Sequence, residues 1–180
     1  MAQSKIMKGQ RVLYGTNLLV EDKTKSLKKV SEADGGWTIY YTDSKTGEKW
    51  VKYSVDLDRG YFFNLMRAEP EPTTDELIEI ALTTEYYDEI SAASSRLFLN
   101  EEISKIEYRD KLLENLKQLD YEGMKDDYKK RVETIIKAAQ LTDRVNKREI
   151  LGKSLSQINQ DSQFFNRIAD SAEEILNRIE

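Results

Sequence analysis

Two hydrophobic periodicities divide this chain near Pro70. Up to residue 68, apolar and polar residues alternate over short runs, as strands with one covered face require. Trp37, Ile39 and Tyr41 share one face of the run Trp37–Thr42, and Val51, Tyr53 and Val55 share one face of Glu48–Val55. Asp43-Ser44-Lys45-Thr46-Gly47 joins the two runs. Asp at the entry supplies a side-chain acceptor and Gly at the exit tolerates positive φ, so the pair predicts a tight hairpin. Arg11–Val20 reads as a first strand, with Gly15–Asn17 a point where it can break, Leu27–Val30 as the start of another after the polar turn EDKTK, and Tyr61–Arg67 as the last. Six of the eight glycines lie within the first 60 residues and punctuate these runs. The expectation is a meander of four or five antiparallel strands.

Pro70 and Pro72 stop that pattern, since neither can donate to a sheet ladder. Thr73-Thr74-Asp75-Glu76 fits a capping box with Thr73 as cap. Thereafter apolar residues recur every three or four positions. Leu77, Ile78, Ala81 and Leu82 form one stripe, and Tyr86, Ile90, Ala93 and Leu97 a second. Ile106, Leu113 and Leu116 belong to a third, and Met124, Tyr128, Val132, Ile135 and Ile136 to a fourth after a break at Asp120–Gly123. Val145, Leu151, Leu155 and Ile158 read as a fifth helix. Phe164, Phe165, Ile168, Ala172, Ile175, Leu176 and Ile179 form a strongly amphipathic last one, with Asp161 as its cap. The predicted architecture is α+β: an antiparallel sheet over residues 1–68, then five or six helices over 69–180 in a bundle or a HEAT-like stack, forming one compact unit.

Charge sharpens the picture. Residues 69–102 hold ten carboxylates and one base, Arg96, for a local charge of −9, whereas residues 1–68 carry +4 and residues 103–180 balance to zero. The acidity of the chain, −5 overall, is therefore local. Glu79, Glu85, Asp88 and Glu89 lie on the predicted helices of this stretch, and Glu85 and Glu89 at i,i+4 would repel on one helix face. Tyr86 and Tyr87 are adjacent, so both cannot face a core, and one must stand among the acids. A tyrosine in an acidic patch suits recognition of a basic protein. The expected partner-binding residues are Glu79, Glu85, Tyr86, Tyr87, Asp88 and Glu89.

Other chemistries find less in the sequence. There is no cysteine and no histidine, which removes thiolate chemistry, the usual neutral-pH base and the commonest metal ligand. The D-x-D of Asp56 and Asp58 fails as a calcium loop: Gly60 stands fifth rather than sixth, and Met66 or Arg67 falls where the closing acid belongs. Adjacent carboxylates such as Asp126-Asp127 diverge on a helix and make no acid/base dyad. No phosphate-binding glycine loop or nucleophile motif is present. The expectation is a non-catalytic chain with no cofactor and no metal. Lys45, Lys49, Trp50, Lys52, Tyr53, Arg59, Tyr61 and Phe62 interleave bases with rings, an alternative that would suit single-stranded nucleic acid. A helical adaptor or chaperone is the first alternative, ahead of nucleic-acid binding. Without a leader-like apolar segment or a run approaching about 20 apolar residues, a soluble cytoplasmic chain is expected.

The stretch Gly35–Arg67 resembles the small bacterial immunity proteins of polymorphic toxin systems, in particular the family numbered immunity protein twenty-seven. Trp37, Tyr40, Asp43, Gly47, Trp50, Tyr53 and Gly60 carry the resemblance. It implies a cytoplasmic protein that neutralises a cognate toxin by stoichiometric binding, with a basic toxin domain as partner, and it implies no catalytic residue.

Overall fold

The computed structural model describes residues 10–55 and 62–180. The chain divides into two compact units, Met1–Ala93 and Ser94–Glu180. The change from strand to helix falls where the prolines predict it, and among the described residues no strand follows Arg67. The units divide later, so the first helices after the sheet group with it.

The first unit is built on a five-stranded antiparallel sheet in the order β1-β5-β4-β3-β2. β2 (Lys28–Ala33), β3 (Thr38–Thr42), β4 (Lys49–Ser54) and β5 (Phe63–Arg67) form the expected meander, and β1 (Leu13–Tyr14) adds to the far side of β5. The β3–β4 turn closes as its sequence requires. The Asp43 carboxylate accepts from the Lys45 amide at 2.8 Å, and Gly47, at φ 77°, donates its amide to the Asp43 carbonyl at 2.8 Å.

One expected strand is corrected. Within Arg11–Val20 the backbone is extended only at Leu13–Tyr14, and Asn17–Lys25 is the helix α1. Thr16 caps it by accepting from the Leu19 amide, and the polar EDKTK run is its second half rather than a turn. Leu18 is exposed and Val20 buried, so the apolar triplet Leu18-Leu19-Val20 is not an inward strand face. α1 packs over β5. Between them lies a core of Val20, Leu27, Trp50 and Leu65, joined by Tyr14, Tyr41 and Phe63. Helix α2 (Thr74–Thr83) follows, opened by the predicted Thr73/Glu76 capping box, and it buries Leu77, Ile78 and Ala81. Helix α3 (Tyr87–Ser104) begins in this unit.

The second unit contains the rest of α3 with α4 (Arg109–Lys117), α5 (Asp126–Ala138) and α6 (Leu155–Ile179). The 25-residue α6, about 37 Å long, packs against both α4 and α5. Phe165, Ile168, Ala172 and Ile175 of α6 are buried, as are Leu112 and Leu116 of α4 and Val132, Ile135 and Ile136 of α5. Three expectations are corrected here. The predicted fifth helix is not separate: residues 142–154 are irregular, and Leu155 and Ile158 already belong to α6. The α6 cap is Ser154, in a capping box with Gln157, rather than Asp161. Ile106, assigned to the third helix, precedes α4 and is 44% exposed.

Charged side chains hold the irregular stretch. The buried guanidinium of Arg109 pairs with Glu101 at 2.8 Å and donates to the carbonyls of Gln140 and Asp143. Burial pushes the Glu101 carboxyl above its usual range, against the pull of Arg109. Lys147 bridges Glu102 and Asp143, while Arg148 bridges Glu107 and Asp161. Arg144 pairs with Asp170 and Glu173 of α6. α3, the link before α4, α4, the irregular stretch and α6 thus meet through salt bridges.

Candidate acidic and aromatic docking surface

The junction of α2 and α3 is tied to the start of the sheet by three side chains. Glu89, in the first turn of α3, accepts through one carboxylate oxygen from the Val12 and Leu13 amides at 2.9 and 3.0 Å. Its other oxygen accepts from the Thr84 hydroxyl, which itself accepts from the Tyr86 amide. Asp88 forms an ion pair with Arg11 and accepts from the Gly15 amide at 2.9 Å. Arg11 is gripped from both sides, since its guanidinium lies 4.0 Å from the centre of the Tyr14 ring and 4.6 Å from that of Tyr86. Burial raises the Tyr14 hydroxyl above its ordinary value, with Arg11 pulling the other way. Gly15 is required by space: a Cβ there would stand 2.2 Å from the Asp88 carbonyl oxygen.

The expected site residues therefore divide. Glu79, on α2, is exposed, and so is Glu85, in the short link before α3. Tyr86 and Tyr87 are both large exposed groups, at 44% and 59%. Asp88 is mostly covered, and Glu89 is 3% exposed with both oxygens engaged inside the fold. The Glu89 position is a correction: a carboxylate satisfied by two buried amides and a hydroxyl has no oxygen left for a partner. Glu85 lies outside the helix, so the expected i,i+4 repulsion with Glu89 does not arise. What sequence reading missed is Arg11. Its lone position before a short strand carries no signal, and its role depends on a contact 77 residues away.

The alternative aromatic and basic platform is dispersed. Trp50 and Tyr53 are buried, and Lys49 pairs with Glu69 at 2.7 Å. Lys52 sits over the Phe63 ring at 4.4 Å, and Phe63 stacks on the half-exposed Trp37 at 6.1 Å. Of the resemblance residues, Asp43 and Gly47 form the β3–β4 turn, Trp50 and Tyr53 lie on β4, Tyr40 on β3, and Trp37 just before it. Asp56, Asp58, Arg59, Gly60 and Tyr61 lie outside the described residues. Among the described residues no three carboxylates gather where they could hold a metal ion, and no helix is long and apolar enough to cross a membrane. No protein-family model matches the chain, and comparison with curated proteins and with solved structures finds no similar protein.

Proposed function

We propose that the chain works by stoichiometric binding of another protein, in the manner of an immunity protein that neutralises a toxin by occupying it. Tyr86 and Tyr87, with Glu79 and Glu85, would meet the partner. The observation that carries this reading is the tyrosine pair, two adjacent large side chains 44% and 59% exposed on a backbone fixed from behind by Glu89, Asp88 and Arg11. A tyrosine offers wide contact area, a polar tip and few rotatable bonds, so it loses little entropy when a partner covers it. The fixed backbone means that little further ordering is needed on binding. Glu79 and Glu85 give the surface a negative potential that draws a basic partner. The resemblance of Gly35–Arg67 to toxin-system immunity proteins supports a toxin as that partner.

The test is protection. The polypeptide encoded immediately upstream, expressed alone, should arrest growth, and co-expression of this chain should restore it through a one-to-one complex. A Tyr86→Ala/Tyr87→Ala variant with an unchanged circular dichroism spectrum should lose protection. A harmless upstream product, or protection undiminished by the double substitution, overturns the reading.

A further inference from the structure

Arg67 ends β5, opposite Trp50 of β4 in the antiparallel register, so the two side chains project from the same face of the sheet. Both are almost wholly buried, Arg67 at 6% and Trp50 at 3% exposure. Nε and Nη2 of Arg67 and Nε1 of Trp50 are buried donors that meet no acceptor among the described residues. A buried guanidinium without an acceptor is among the costliest arrangements a fold can hold. The neighbouring carboxylates are committed elsewhere. Asp43 accepts from the Lys45 and Thr46 amides and faces Lys23, Glu48 accepts from Gln10, and Glu69 pairs with Lys49. Lys23 adds a second cation, its ammonium 5.1 Å from the centre of the Trp50 ring.

We propose that Arg67 and Trp50 form a binding site for a carboxylate, separate from the tyrosine surface and independent of that reading. The two unmatched nitrogens of Arg67 belong to the Nε/Nη2 edge, whose parallel N–H bonds fit the two oxygens of a carboxylate side by side. The Trp50 indole, a donor with no acceptor function, offers a third unmatched N–H on the same face of the sheet. Three donors and the unpaired charge of Arg67 select an anion, and the planar fork selects a carboxylate over a spherical ion. The carboxylate comes either from a small free acid or from the end of a peptide chain.

The indole N–H resonances of the 15N-labelled full chain read this site directly, because the chain has two tryptophans and Trp37→Phe leaves Trp50 alone. Sodium acetate, exchanged for sodium chloride at constant ionic strength, is expected to move the Trp50 signal saturably in the millimolar range and leave Trp37 in place. N-acetyl-triglycine, compared with its C-terminal amide, tests a peptide terminus. A shift with acetate alone assigns a small acid, and a shift with the free peptide but not the amide assigns a chain terminus. Arg67→Met should abolish the response, and Arg67→Lys, which keeps the charge but not the fork, should weaken it roughly tenfold or more. A Trp50 signal that neither probe moves, as when an ordered water satisfies the donors, overturns the proposal. So does a response that survives Arg67→Met.

Discussion

Glu89→Ala tests whether this carboxylate belongs to the fold or to a docking surface. In the native chain one Glu89 oxygen satisfies two amides, Val12 and Leu13, on residues with no exposed surface, and the other takes the Thr84 hydroxyl. Removing it orphans both amides. Each unsatisfied buried donor costs about 1–3 kcal/mol, so the pair costs roughly 2–6 kcal/mol. Against a domain stability of about 5–15 kcal/mol, the variant should be severely destabilised. Glu89→Gln separates charge from geometry. The amide oxygen still accepts from both backbone N–H groups, and the amide nitrogen can donate to Thr84, whose hydroxyl is also an acceptor. Only the charge-assisted part of the bonds is lost, so the expected cost is about 1–2 kcal/mol. The assay is equilibrium urea unfolding with wild-type, Ala and Gln chains, compared at equal m-values. A Glu89→Ala midpoint within about 0.5 kcal/mol of wild type, the range of an ordinary surface substitution, would refute the buried role of this side chain.

Other perturbations follow from the same geometry. Gly15→Ala places a methyl 2.2 Å from the Asp88 carbonyl, a backbone atom that cannot swing away, and should cost about 3 kcal/mol by thermal melting. Arg109→Met strands the buried Glu101 and should cost about 3–5 kcal/mol, whereas pairing it with Glu101→Leu should recover most of that loss in a double-mutant cycle. Lys153 and Arg148 hold the Asp161 carboxyl below its ordinary value of 3.8. Its folded pKa is depressed, so its contribution is complete above pH 3.8 and disappears as pH falls through the lower folded value. Melting curves of wild type and Asp161→Asn should therefore differ at neutral pH and converge in acid. Curves that stay apart in acid would show that the pairing is not the cause.

The fold was legible where a local rule operates unopposed. The Asp43–Gly47 turn, the Thr73/Glu76 box and the inner stripes of α2 and α5 each follow from residues within one or two turns of each other, and the structure keeps them, except that Tyr128 of the α5 stripe is exposed and Met124 precedes the helix. It was not legible at Asn17–Lys25, where Leu18-Leu19-Val20 carries the apolar run of a strand but a Thr16 cap and a packing surface on β5 make a helix. Nor was it legible at residues 142–154. Their apolar residues Val145 and Leu151 suggested a helical face, yet both are exposed, and it is Arg109, Lys147 and Arg148 that fix the backbone. Periodicity reports which residues want burial. It carries no record of hydrogen bonds and ion pairs made across 30 or 40 positions, which here decide the matter.

The same blindness governs the charge argument. A count of −9 over residues 69–102 treats each carboxylate as available, but most have a partner within the fold. Glu69 is held by Lys49, Glu76 by its own cap, Asp88 by Arg11, Glu89 by the Val12 and Leu13 amides, Glu101 by Arg109 and Glu102 by Lys147. Of the acids assigned to the docking surface, Glu79 and Glu85 are the exposed ones. Steering by two carboxylates is weaker than steering by a net charge of −9, and it is screened beyond about 10 Å in ordinary salt. Binding should then depend less on ionic strength than the local sequence charge implies, and more on the area of Tyr86 and Tyr87. Substituting the tyrosines should raise the dissociation rate of a complex, while reversing Glu79 and Glu85 should slow its formation only a few-fold. In the proposed reading the inward-facing carboxylates would still contribute, because they fix the backbone on which the tyrosines stand.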